Sequence, residues 1–120
     1  MEYFNLAIAL EDALKIYCQK KQRLFVDDQL LTTIKDCCET IDYLGSATGY
    51  ENYDILIDSS YVMIGISCPA FTIREESYLF VELLKNCFRI DFENDSHGID
   101  CNVLVTFVFT DLIKQKKDIM

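Results

Sequence analysis

Residues 99–110, IDCNVLVTFVFT, decide the fold because apolar and polar side chains alternate along them. Successive side chains of a β-strand point to opposite faces, so one face of this segment is wholly apolar. That face consists of Ile99, Cys101, Val103, Val105, Phe107 and Phe109. A strand face this apolar has to be covered by other elements, which predicts a sheet with helices packed on it.

Three further segments have strand patterns. Residues 53–58 and 61–68 alternate around a turn at Ser59-Ser60, and residues 88–93 alternate before a turn at 94–98. Pro69 ends the second of these strands, since it has no amide to donate. We expect one antiparallel four-stranded sheet with the last strand in a central position.

Three segments have helical spacing. Residues 3–22 carry an apolar stripe and a Glu11–Lys15 pair four residues apart. A second helix begins at Asp27 or Asp28 and ends near Leu44, with Gly45 just beyond its end. Its stripe is Leu30, Ile34, Cys37, Ile41 and Leu44.

The third helix is predicted from about residue 73 to 87. The segment 72–75 reads as a capping box, in which a threonine and a glutamate satisfy each other's backbone amides. The inward side chains of this helix are expected to be Phe80, Leu83, Leu84 and Cys87. Residues 24–26 are expected to fold back onto the core, and residues 111–120 to form one helical turn and fray.

The sequence therefore predicts an α+β domain with two layers. The order is α-α-β-β-α-β-β, with a four-stranded antiparallel sheet and three helices on one of its faces. The length of 120 residues fits a single domain over 1–120.

Acidic residues dominate the charge. Twenty Asp and Glu against eleven Lys and Arg give a net charge of −9. Nucleic acids and anionic membrane surfaces attract basic proteins, so we expect neither as a direct partner. No basic segment followed by an apolar run begins the chain, and we expect a cytoplasmic location.

The six cysteines are expected to be free thiols in a reducing compartment. Cys37, Cys68, Cys87 and Cys101 fall on predicted core faces, which favours packing over a zinc site. Cys38 is expected to flank the core, and its acidic neighbours argue against a reactive thiolate.

Four carboxylates around the 94–98 turn are the candidates for a metal site, as oxygen ligands suit calcium. They are Asp91, Glu93, Asp95 and Asp100. The segment lacks the glycine position and closing glutamate of an EF-hand loop, so a solvated acidic strand face is the simpler interpretation and no metal is predicted.

Catalytic patterns are absent from the sequence. His97 is the single histidine and falls in a predicted turn, and no phosphate-binding glycine loop or nucleophile elbow occurs. We therefore expect a binding protein without a cofactor rather than an enzyme.

Acids and tyrosines on and after the second helix are the predicted binding residues, because tyrosine is common in protein interfaces. They are Asp36, Glu39, Asp42, Tyr43, Tyr50, Glu51 and Tyr53. The expected partner is a basic, nucleic-acid-binding or nuclease-like protein, which this chain would neutralise as immunity proteins and phage-encoded inhibitors do.

The alternative is a homodimer of structural or small-ligand-binding character. It would pair through the half-apolar face of the sheet. The residues predicted for that face are Leu56, Met63, Leu104 and Val108.

Overall fold

The computed structural model describes residues 5–21, 24–46, 53–58, 60–94 and 102–115. The helices are α1 (Leu6–Lys20), α2 (Asp28–Ser46), α3 (Ala70–Glu75) and α4 (Ser77–Leu84). The strands are β1 (Leu24–Val26), β2 (Asp54–Ile57), β3 (Tyr61–Pro69), β4 (Arg89–Asn94), β5 (Asn102–Thr110) and β6 (Ile113–Gln115).

The main sheet is antiparallel and has four strands in the order β2-β3-β5-β4, which confirms the predicted α+β architecture. β5 lies between β3 and β4, as its length and pattern predicted. The register pairs Ile64 with Phe107 and Ile66 with Val105, so these residues share the inner face.

The core lies between that inner face and the helices. Leu10 and Leu14 of α1, Ile34 of α2 and Phe80 of α4 pack there with Phe107 of β5. The stripe predicted for α2 forms its inner side, although it is wider than predicted because Leu31 and Cys38 are also buried. None of the described helices has the length and apolar composition that a membrane crossing requires.

The predicted third helix is two helices. α3 begins directly after Pro69, and a break at Glu76 separates it from α4. Thr72 is buried inside α3 and does not cap a helix, so the capping-box prediction is wrong. Leu84, predicted to face inward, is 50% exposed: it is the last residue of α4 and lies about 100° around the helix from Leu83, which is buried with Phe80 as predicted.

The predicted start of α2 is confirmed, and its predicted end is wrong. Asp27 is its N-cap, since the carboxylate accepts from the backbone amides of Gln29 and Leu30 at 3.1 Å. Gly45 lies inside the helix rather than beyond it, and its φ is not left-handed.

A second, two-stranded sheet joins the segment between α1 and α2 to the last described residues of the chain. β1 pairs antiparallel with β6, and Lys114 forms an ion pair with Asp27 at 3.0 Å. Leu112, just before β6, is buried in the core. Residues 111–115 therefore do not fray after a helical turn, as the sequence had suggested.

The predicted Glu11–Lys15 pair is also replaced. The Glu11 carboxylate accepts a hydrogen bond from the ammonium of Lys35 on α2 at 3.0 Å, which lowers the pKa of Glu11. This contact ties α1 to α2 across their interface.

Candidate functional site

An acidic stripe runs along the solvent side of α2. Asp36, Glu39 and Tyr43 are all exposed, and their spacing of three and four residues places them on one side of the helix. Three of the predicted partner-binding residues therefore lie together on one surface.

Two other predicted residues have structural contacts. Asp42 is half-buried, and its carboxylate accepts a hydrogen bond from the backbone amide of Leu6 at 3.0 Å. The hydroxyl of Tyr53 donates to the backbone carbonyl of Asp42 at 3.4 Å. Tyr50 and Glu51 lie outside the described residues.

α4 packs beside α2 and extends the acidic surface. The hydroxyl of Tyr43, near the end of α2, donates to the carboxylate of Glu76 at 3.0 Å, just before the start of α4. Asp36, earlier in α2, lines a groove together with Glu82, later in α4. The two helices are therefore antiparallel neighbours, and we call their shared exposed side the α2–α4 surface.

Two exposed tyrosines meet one carboxylate at the end of this surface where α4 begins. Hydrogen bonds to Glu76 raise the pKa of both Tyr43 and Tyr78, because ionised phenolate would face the negative carboxylate. These bonds hold two aromatic rings at the surface beside a negative charge.

The groove between α2 and α4 has a volume of about 180 Å³. Its polar lining includes Thr33, Asp36, Thr40, Glu82 and Asn86. Such oxygen-rich walls accept hydrogen bonds from lysine and arginine side chains.

The basic side chain of Lys85 contacts Glu82, one of the acids that line this groove. Lys85 pairs with Glu82 at 2.9 Å, and both side chains are more than 60% exposed. An ion pair this exposed contributes little to stability, so an incoming cation can replace Lys85 at Glu82.

Sequence reasoning missed Glu76, Tyr78 and Glu82. The pattern of residues 73–87 predicted only the inward side of a single helix. Tyr78 and Glu82 lie on the solvent side of α4, and Glu76 lies just before that helix begins. The available signal was the presence of three acids and a tyrosine among the apolar residues of 75–84.

The outer face of the sheet carries a second, less charged feature. An open groove of about 410 Å³ lies over Gly65, with Leu56, Met63 and Leu104 in its walls and Asp54 at its rim. Leu56 and Leu104 are 59% and 40% exposed. Glycine at position 65 deepens the groove, because a β-carbon there would extend into it without a clash.

Val108 lies on this outer face, as the sequence predicted, but its side chain is not exposed. It is fully buried, and its cross-strand neighbours are Met63 on β3 and Arg89 on β4. These longer side chains flank the smaller valine on the same face of the sheet.

The carboxylates considered for calcium do not form a cluster among the described residues. Asp91 pairs with Arg89 at 2.9 Å, and no described group of three potential metal ligands converges. Asp95 and Asp100 lie outside the described residues, as does His97.

The five described cysteines are free thiols. Burial raises the pKa of Cys38 and of Cys87 to about 12 and that of Cys68 to about 11. A thiol with a raised pKa is a poor nucleophile at neutral pH, so these three residues act as core side chains. Cys101 lies outside the described residues.

Comparison with protein-family models, with curated proteins and with solved structures finds no match for this chain.

Proposed function

We propose that this chain is a cytoplasmic binding protein without catalytic activity that neutralises a basic protein through its α2–α4 surface. The partner uses a cationic surface, of the kind that holds nucleic acid, and this chain occupies that surface in place of phosphates. The observation that carries the proposal is the joining of the α2 acids to Glu76 and Glu82 beside two exposed tyrosines.

Electrostatics supports this choice of partner. A net charge of −9 attracts a cationic protein at long range and accelerates encounter at low salt. Tyr43 and Tyr78, at 52% and 62% exposure, supply contact area at close range with little entropy to lose. Charge thereby favours the encounter, and the tyrosines favour the bound state.

The test is affinity capture with three baits in parallel. The first is the wild-type chain, and the second carries Asp36→Lys, Glu39→Lys and Glu82→Lys on the α2–α4 surface. The third carries Asp12→Lys, Asp54→Lys and Glu93→Lys, which are exposed acids elsewhere and change the net charge equally. Exposed charges contribute little to stability, so all three baits are expected to fold.

We expect the wild-type and third baits to capture a basic protein that the second bait does not retain. The captured protein should release bound nucleic acid when the wild-type chain is added, and its association rate should fall steeply with salt. Equal capture by all three baits, or undisturbed nucleic acid binding, would refute neutralisation through this surface.

The sheet groove favours a second candidate function. We propose that two copies pair through the outer sheet face at Leu56, Met63 and Leu104, because exposed apolar side chains around an open groove are typical of interfaces. A twofold pairing brings the same patch of each copy together. This surface lies on the opposite layer from α2 and α4, so the two proposals are compatible.

A further inference from the structure

α4 exposes an unusual amount of apolar surface for a short helix at the edge of a domain. Tyr78, Val81 and Leu84 are each at least 50% exposed. They follow one another at intervals of three residues, so they cover a continuous face about 120° wide. Phe80 and Leu83, on the other side of the same helix, are buried in the core.

This makes α4 apolar on both sides. A helix that is apolar nearly all round is normally buried, yet these three side chains of α4 are at least half exposed in the described part of the chain. Other exposed apolar side chains on a helix, such as Ile8 and Ile16 of α1, stand eight residues apart and form no such run. The exposed face of α4 therefore has the composition of an interface.

The charge beside the apolar face determines what can cover it. Asp36 and Glu39 lie on neighbouring α2, and Glu82 lies on α4 itself. A second copy of this chain would bring its own acids against these carboxylates, which disfavours pairing here. A partner that covers the face meets Glu82 at its border, so cations on that flank of the partner favour binding.

We infer that the partner presents an amphipathic helix with a basic flank. Its apolar side chains pack against Tyr78, Val81 and Leu84, while its lysines or arginines lie beside Glu82. Glu82 lies four residues after Tyr78 and one after Val81, so it borders the apolar face, and a helix packed on that face brings its flank beside this carboxylate. This inference rests on the proposed function and names the part of the partner that binds.

The test uses two synthetic peptides of about 20 residues made from leucine, lysine and alanine. One places its leucines three and four residues apart with lysines along one flank. The other has the same residues shuffled so that the leucines share no face. Fluorescence anisotropy with labelled peptides measures the Kd of each for the full-length chain.

We expect the amphipathic peptide to bind at least about tenfold more tightly than the shuffled one. Val81→Ser with Leu84→Ser should weaken its binding about tenfold or more and leave the salt dependence unchanged. The matched control, Ile8→Ser with Ile16→Ser, removes equally exposed apolar groups and should have no effect. Circular dichroism confirms that both variants fold.

Equal binding of both peptides would overturn the inference, because the surface would then respond to charge alone. Equal loss in both serine variants, or none in either, would also overturn it, and so would absence of binding by both peptides. The proposed function is judged separately by the charge-reversed baits, which leave α4's apolar face intact. Concentration-dependent self-association abolished by Val81→Ser with Leu84→Ser would assign the face to a second copy instead.

Discussion

The ring of Tyr53 packs so closely on Gly45 that no larger residue fits at position 45 without a shift. Glycine in a helix interior is usually destabilising relative to alanine, yet Gly45 lies inside α2. A β-carbon at this position would lie 2.5 Å from the hydroxyl oxygen of Tyr53. The sequence pattern suggested a helix end here because it could not reveal that Tyr53 packs against the backbone of α2.

We therefore expect Gly45→Ala to destabilise the protein, against the usual gain in helix propensity. The alanine forces Tyr53 to move and to lose its hydrogen bond to the carbonyl of Asp42, at a cost of about 1–2 kcal/mol. Urea denaturation measures the change, and Tyr53→Phe provides the background in which the same substitution should cost less. A more stable Gly45→Ala variant would mean that Tyr53 is easily displaced.

The buried thiols make stability depend on pH in the alkaline range. Cys38 has an ordinary pKa of 9.0 when unfolded and a pKa of about 12 when folded. The folded chain keeps a proton that the unfolded chain loses, so the free energy of unfolding falls as pH rises through this window. Below pH 9 the contribution of Cys38 is present in full.

We expect urea denaturation to show a smaller fall in stability between about pH 8 and about pH 10.5 for Cys38→Ala than for the wild type. Lysine and tyrosine side chains titrate in both proteins, so the difference between the two isolates the thiol. Cys18→Ala, at a less buried cysteine, is the matched control and should follow the wild type more closely. Parallel curves for wild type and Cys38→Ala would contradict burial of Cys38.

At the scale of elements, periodicity predicted the four strands of the main sheet and the first two helices, since these stretches each carry a clear repeat. Burial confirms the inward side chains Val105, Phe107 and Phe109 of β5 and most of the stripe of α2, but Val108 on the other face of β5 is buried as well. The break at Glu76 could not be predicted in this way. No proline or glycine marks the break, at which the backbone of Glu76 has φ −110° and ψ 26°.

The β1–β6 pairing was missed for a different reason. Each strand has three residues, too few to show a period, and the two are separated by most of the chain. Asp111 turns the backbone between β5 and β6, with a left-handed φ of 67° that aspartate tolerates better than most residues. The backbone amide of Asp27 then donates to the carbonyl of Leu112 at 2.8 Å.

Leu112→Ala tests whether this terminal segment belongs to the folded domain. Leu112 is 1% exposed, so its truncation should leave a cavity and cost about 2–5 kcal/mol, measured by denaturant unfolding. Lys114→Ala, two residues further on and half-exposed, removes one surface ion pair and should cost less than about 1 kcal/mol. Equal, small costs for both variants would mean that the segment is not anchored in the core.

At the scale of the whole molecule, the two-layer architecture separates the two candidate surfaces. The helical layer carries the acids of α2 and the apolar face of α4, and the sheet layer carries the groove over Gly65. The sequence predicted acids and tyrosines on α2, but only the fold shows that α4 extends their surface. Likewise, the burial of Val108 follows from its neighbours on two other strands.

This separation predicts that self-association and partner binding respond to different substitutions. Leu104→Lys places a charge in the proposed sheet interface, where it would be desolvated, so it should convert a dimer into a folded monomer. Ile8→Lys is the matched control, since it adds the same charge at an exposed apolar position of α1 and should leave the dimer intact. Sedimentation velocity over a range of concentrations measures the oligomeric state of both variants, and neither substitution should change binding of the basic partner.

A wild-type chain that stays monomeric at every concentration would exclude the dimer and leave the α2–α4 surface as the sole proposed interface. A dimer that survives Leu104→Lys but is lost in Val81→Lys would instead place self-association on α4, in competition with the partner helix.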